Sequence, residues 1–143
     1  MNCRRLVTGL ALASTLVLAG CAGMAYEESG QQVRLYGSSE VPPVPTQAYG
    51  TGVVNIAADR SVTVTLSVVG MAPTMAHIHQ GAAGTNGPVV VPLKRISDNA
   101  FVAPDNAVLT EAQYAAYKAG NLYLNVHSAK HPAGEVRAQI LGR

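Results

Sequence analysis

Ser61-Val62-Thr63-Val64-Thr65-Leu66-Ser67-Val68-Val69 alternates apolar and hydroxyl side chains almost without a break. Successive side chains of a strand leave opposite faces, so Val62, Val64, Leu66 and Val68 share one side while Thr63, Thr65 and Ser67 share the other. A two-residue period of this length fits a half-buried strand and no helix. Upstream, Ala58-Asp59-Arg60 is a tight turn, Tyr49 to Ala57 reads as the preceding strand with Val53 in its core, and Val33 and Leu35 alternate in a first strand. Glu40-Val41-Pro42-Pro43-Val44-Pro45 between them is not a central strand, because proline has no amide to donate. Downstream, Gly70-Met71-Ala72-Pro73 closes the strand, Met75 to Gln80 forms a short one, and Gly81 to Gly87 is a loop with three glycines. Pro88 to Leu93 is apolar on both faces, which predicts a strand buried on both. Leu122 to Ser128 and Glu135 to Leu141 are the last two strands, joined by residues 129–134. One helix, at about residues 110–119, interrupts the pattern. Thr110 is its cap, Gln113 completes a capping box, Leu109 staples onto Tyr114, and Gly120 ends it. The expectation is an all-β fold, an antiparallel Greek-key-like β-sandwich or barrel with one short helix.

The chain begins differently. Arg4 and Arg5 precede a mainly apolar stretch, Leu6 to Leu18, of signal-peptide length and too short for a comfortable permanent span. Leu18-Ala19-Gly20-Cys21 then resembles the lipobox of bacterial lipoproteins, in which the cysteine thiol takes up diacylglycerol before cleavage. The organisation expected is a signal peptide (1–20), a lipidated tether (21–32) beginning at Cys21, and one domain (33–143). The competing readings are an ordinary secretory signal cut near Ala25 and an uncleaved anchor. A single acyl chain holds a protein only marginally, so the triacylated cysteine of a lipoprotein matters. Ala22 rather than Asp follows Cys21, and by resemblance to lipoprotein sorting the expected place is the outer membrane, facing the periplasm. Removing residues 1–20 from 143 leaves 123, enough for one domain. The basic residues fall from 10 to 8 against 8 acidic ones, so nothing suggests a nucleic-acid partner. Cys3 leaves with the signal and Cys21 is acylated, so an apolar core without a disulfide must hold the domain.

Chemistry concentrates in the histidines. His77 and His79 are two apart in Ala76-His77-Ile78-His79 and leave one strand face, with Ala76 and Ile78 on the other. In Leu122 to His127, the apolar Leu122, Leu124 and Val126 face inward, so Tyr123, Asn125 and His127 share the outer side. If these strands are neighbours, three imidazoles converge into a minimal ligand set for copper or zinc. Imidazoles without thiolate suit both metals. The affinity order favours copper, the cofactor expected here, with zinc the alternative. His131 on the following loop is a candidate additional ligand. So is Met75, which shares the parity of His77 and His79, although methionine more often fills a core gap. The competing reading is a solvated His-X-His pair plus a core histidine satisfied by a carbonyl. Asn125, Glu135 and Arg137 are candidate supporting residues, the last two spaced for a cross-strand ion pair. No nucleophile elbow accompanies Ser128, and the 81–87 loop lacks the Lys-Ser/Thr of a phosphate loop, so no catalytic residue is assigned.

Three blocks carry a family resemblance: Leu35-Tyr36-Gly37 with Glu40-Val41-Pro42-Pro43-Val44; Ala76-His77-Ile78-His79-Gln80-Gly81 with Gly84 and Asn86-Gly87-Pro88-Val89-Val90-Val91; and Ala119-Gly120-Asn121-Leu122-Tyr123-Leu124-Asn125-Val126-His127-Ser128 with Pro132-Ala133-Gly134-Glu135-Val136-Arg137-Ala138-Gln139. In that order they resemble the CHRD domain, named after chordin and widespread in bacteria, over about residues 33–141. The resemblance implies a compact β-sandwich of immunoglobulin-like or superoxide-dismutase-like character and leaves the biochemical role open. A weaker likeness to copper-zinc superoxide dismutases rests on His-X-His before a glycine-rich loop and Gly-Pro. Val89 stands where those enzymes usually place a bridging histidine, and their acidic zinc ligand and disulfide cysteines have no counterpart. The functional expectations are therefore a lipid-anchored copper- or zinc-binding domain or, as the alternative, a non-catalytic module that binds an envelope protein. Dismutase-like redox activity comes last.

Overall fold

The structure is a computed structural model that describes residues 30–143. The signal segment and Cys21 lie outside the described residues. Nine strands and one helix follow in chain order: β1 (Gln31–Tyr36), β2 (Tyr49–Ile56), β3 (Val62–Val69), β4 (Pro73–Gln80), β5 (Val89–Pro92), β6 (Lys94–Ser97), β7 (Ala100–Val102), α1 (Glu111–Lys118), β8 (Leu122–Ser128) and β9 (Val136–Ile140). The first strand thus begins two residues before Val33, within what the sequence suggested as tether. Among the described residues, no helix is long and apolar enough to cross a membrane.

All strand pairs are antiparallel, in the order β5-β4-β8-β9-β1-β2-β3-β7-β6. The first and last strands of that order, β5 and β6, are separated in the chain by Leu93 alone. Two Cα steps reach no further than about 7.6 Å. The two ends of the sheet therefore meet, and the sheet curls into a nearly closed barrel. Leu93 fastens this closure by donating its amide to the Ala76 carbonyl at 2.9 Å. The joint between β9 and β1 is slight, with Tyr36 opposite Arg137 as its registered pair.

Val62, Val64, Leu66 and Val68 of β3 are buried and the residues between them exposed, as the alternation predicts. They meet Val33 and Leu35 of β1, Ile78 of β4, Phe101 of β7 and Leu122, Leu124 and Val126 of β8 in one core. Burying a side chain such as Leu124 contributes about 1.5–3 kcal/mol. Helix α1 has its expected ends. The Thr110 hydroxyl accepts from the Gln113 amide at 3.2 Å, the Gln113 side chain accepts from the Thr110 amide at 2.8 Å, and Gly120 follows with φ +74°.

Three details differ from the sequence reading. In β2 the core residues are Val54 and Ile56, while Val53 is only half-buried on the opposite face. Strand β5 is not buried on both faces: Val90 is half-buried and Pro92 is exposed on the face opposite Val91. On the core side Val91 is buried, while Val89, at the open end of the strand, is exposed. The β6–β7 hairpin gave no sequence signal, since all four residues of β6 are exposed, Ile96 included.

Candidate metal centre

The site lies on the outer face of β4, β8 and β9. The pairing of these strands arranges residues in rows across that face: Met75 opposite His127; His77 opposite Asn125, itself opposite Arg137; and His79 opposite Tyr123, itself opposite Gln139. Neighbours in such rows have Cβ atoms about 4.5–5.5 Å apart. The His-X-His spacing and the parity of β8 therefore bring His77, His79 and His127 together, and one ring nitrogen from each lies within 4.8 Å of the others. Ring centroids are 4.9 Å apart for His77–His127, 5.4 Å for His77–His79 and 5.8 Å for His79–His127.

Every residue of β8 is buried, so its outer face is covered as well as its core face. The cover comes from loops. The 81–88 loop folds back on β4 so closely that a Cβ on Gly87 would lie 1.7 Å from the Gln80 carbonyl oxygen. That contact brings the Gly87 carbonyl within 2.9 Å of His79 Nδ1. The loop before β9 places the Pro132 carbonyl 3.0 Å from His127 Nδ1. Carbonyl oxygens only accept, so both Nδ1 atoms carry the proton and both Nε2 lone pairs are bare. His127 Nε2 then accepts from His77 Nδ1 at 3.1 Å. His79 Nε2 is buried with no hydrogen-bond partner among the described residues. An orphaned acceptor of this kind costs about 1–3 kcal/mol unless something fills its lone pair.

The electrostatics agree. Burial, reinforced by the neighbouring His127 and His79, pushes His77 down to about 4. Burial also lowers His79 and His127, although the carbonyls of Gly87 and Pro132 oppose it. The rings are neutral at neutral pH, the form in which imidazole binds a metal. Ligand bonds of about 2.0–2.1 Å at tetrahedral angles need nitrogens about 3.3 Å apart. His77 Nδ1 and His127 Nε2, 3.1 Å apart, are near that spacing once the His77 proton moves to its Nε2, and the three ring nitrogens lie within 4.8 Å of one another. Carbonyls that fix the tautomer and aim of a ring are the usual outer partners of metal-bound histidine.

A match to a family model follows the same boundaries. The CHRD domain family matches residues 31–140, the whole barrel from β1 to β9. The chain belongs to the CHRD-domain family. No curated protein matches this CHRD chain, and no solved structure matches it.

The other sequence candidates separate. His131 stays outside the nitrogen cluster. Its amide donates to the Ser128 hydroxyl and its carbonyl accepts from Gly134, which holds the 129–134 turn. Met75 is exposed on the same face, opposite His127. Glu135 and Arg137 do not pair with one another. The Glu135 carboxylate accepts from Thr46 Oγ1 at 2.8 Å and from the Ser128 hydroxyl. Arg137 is buried and reaches the 81–87 loop instead, donating to the Thr85 carbonyl at 2.7 Å and to Asn86 Oδ1 at 3.1 Å. Its guanidinium also lies 3.4 Å from the centroid of the Tyr123 ring.

Asn125 donates to Glu40 Oε2 at 3.3 Å, while Glu40 Oε1 and Asn125 Oδ1 have no partner among the described residues. Burial raises the Glu40 carboxyl to about 7 against the pull of Arg137. Glu40 and Tyr123 were not singled out from sequence. Tyr123 stacks on His79 with centroids 5.0 Å apart and receives the Gly87 amide on its hydroxyl at 3.1 Å. Its parity with His127 was the available signal. Glu40 sits in a proline-rich loop and carried none.

Proposed function

We propose that this CHRD-domain protein binds a single copper ion, with zinc as the alternative, through His77, His79 and His127, to store, deliver or sequester it. One observation carries the reading: three neutral imidazoles converge, and the buried Nε2 of His79 is left without a partner among the described residues. No catalytic residue is assigned. The lipobox-like Leu18-Ala19-Gly20-Cys21 supports a protein tethered through acylated Cys21 to the outer membrane, on its periplasmic side. Cys21→Ser is expected to release the chain from the membrane fraction.

Metal analysis of the full chain, extracted from membranes, tests the binding. One equivalent of copper is expected, and none in the His79→Gln/His127→Gln double variant. A chain without metal after copper loading, or a double variant that retains it, overturns the reading.

One observation favours a second reading, a non-catalytic module for an envelope protein. Tyr36, Tyr49 and Val69 are registered neighbours across β1, β2 and β3, and all three are exposed. Such an apolar row suits a protein contact. Loss of a crosslinked envelope partner on Tyr36→Ser/Tyr49→Ser, with metal binding intact, would separate it from the first.

A further inference from the structure

We infer that the His77–His79–His127 centre is built for copper in its monovalent state, with the Met75 thioether as the ligand at its mouth. This rests on the metal-binding reading above and goes on to name the ion. The argument is one of charge. All three ring ligands are neutral, and among the described residues no carboxylate or thiolate joins their cluster. The acidic side chains nearby are engaged elsewhere, Glu135 with Thr46 and Ser128, and Glu40 with Asn125.

A positive charge acts on the cluster, adding to burial in lowering His79. Arg137 stacks on Tyr123 at 3.4 Å and Tyr123 stacks on His79 at 5.0 Å, so the guanidinium carbon is at most about 8.4 Å from the His79 ring centre. Arg137 is 2 % exposed, His127 5 % and His79 8 %, so little water screens these charges. The cost of burying an ion grows with the square of its charge, about four-fold from monovalent to divalent at equal radius. A divalent ion recovers more of that cost where an anionic ligand joins the imidazoles, and this cup supplies none. Cu(I) needs none, and it favours soft thioether donors.

Met75 supplies such a donor. It lies on the face of His77 and His79, opposite His127 in register, and is 45 % exposed. An exposed methionine on a polar sheet face gains nothing from the core, while its unbranched side chain can swing over a neighbouring ring. Of the three histidines, His77 is the one left partly exposed, so the cup opens on the side of the strand that Met75 occupies.

The test is anaerobic competition titration of the purified full chain with Cu(I), Zn(II) and, in air, Cu(II). Cu(I) is expected to bind about a thousand-fold more tightly than either divalent ion. Met75→Leu, at an exposed position, is expected to weaken Cu(I) about ten-fold or more and leave Zn(II) unchanged. Arg137→Gln is expected to narrow the preference about ten-fold, since the loosened 81–87 loop weakens all three ions alike while the lost positive charge favours the divalent ones, with the thermal melt reporting that the variant is folded. Zn(II) or Cu(II) bound as tightly as Cu(I), or Cu(I) affinity indifferent to Met75, overturns the inference and leaves the metal site standing. A wild-type chain that binds none of the three ions overturns the site itself.

Discussion

Lowering the pH separates this centre from an ordinary cluster of surface histidines. A proton and a metal compete for the same imidazole lone pair, so competition begins as the pH falls through the pKa of the ring. A ring with the usual value near 6.5 is about 90 % protonated at about pH 5.5. Three such rings would release nearly three protons for each metal bound, and at about pH 5 each would weaken binding about thirty-fold. Burial pushes His77 down to about 4, so at about pH 5.5 only a few per cent of that ring is charged. His79 and His127 are lowered as well, by burial first. The expected result is fewer than two protons released per metal ion at about pH 5.5, because His77 contributes almost none and His79 and His127 each less than an ordinary ring. Calorimetric titration in buffers of different ionisation enthalpy counts those protons. Release of nearly three, or a loss of affinity approaching ten-thousand-fold by about pH 5, would refute the claim that the carbonyl-anchored rings are held neutral. The metal-free fold bears the reverse sign. Its histidines take up fewer protons than the unfolded chain, so its stability declines as the pH falls from about 6.5 towards 4.

Two further substitutions probe the cover over the site. Glu40→Gln places an amide where a carboxylate is buried, and its NH2 can donate to the orphaned Asn125 Oδ1. Because the folded-state value is raised to about 7, the stability linked to Glu40 is complete below 4.5 and fades as the pH rises through 7. Chemical denaturation is therefore expected to show Glu40→Gln more stable by about 1–3 kcal/mol at about pH 8, with little gain at about pH 4. Gly87→Ala forces a Cβ to within 1.7 Å of the Gln80 carbonyl oxygen, which the backbone cannot yield cheaply. It is expected to cost about 2 kcal/mol or more and to weaken metal binding, since the Gly87 carbonyl leaves His79. Gly84→Ala is the control: no atom lies within 4 Å, φ is +79°, and strain alone of about 1 kcal/mol is expected, with metal affinity unchanged.

What the sequence made legible was whatever depends on period. The alternation in β3 and β8 assigned every core residue of those strands to its side. The same parity rule put His77, His79 and His127 on one outer face once β4 and β8 proved to be neighbours. Caps obey local chemistry, so Thr110, Gln113 and Gly120 marked the helix ends. Period fails where a strand is exposed on all sides, as in β6, or apolar at both parities while only one residue is buried, as in β5. It misassigned Val53, because the Tyr49–Ala57 stretch carries apolar residues at both parities and glycines at two positions.

The loops over the site were illegible for a different reason. Nothing in Gly81 to Pro88 or in Glu40 to Pro45 says locally that a carbonyl will meet a histidine ring or that a carboxyl will be buried. For the first loop the contact exists because Arg137, read from spacing as a candidate for a cross-strand ion pair, instead ties Asn86 and Thr85 down onto Tyr123. One long side chain on β9 thereby fixes the loop whose Gly87 carbonyl orients His79 on β4. The donor set of the centre was written in strand parity, but its tautomers come from the loop carbonyls of Gly87 and Pro132, and its cover and neighbouring positive charge from Arg137, whose loop partners lie more than 50 positions away. It is those contacts, rather than the presence of three histidines, that argue for Cu(I) over a divalent ion.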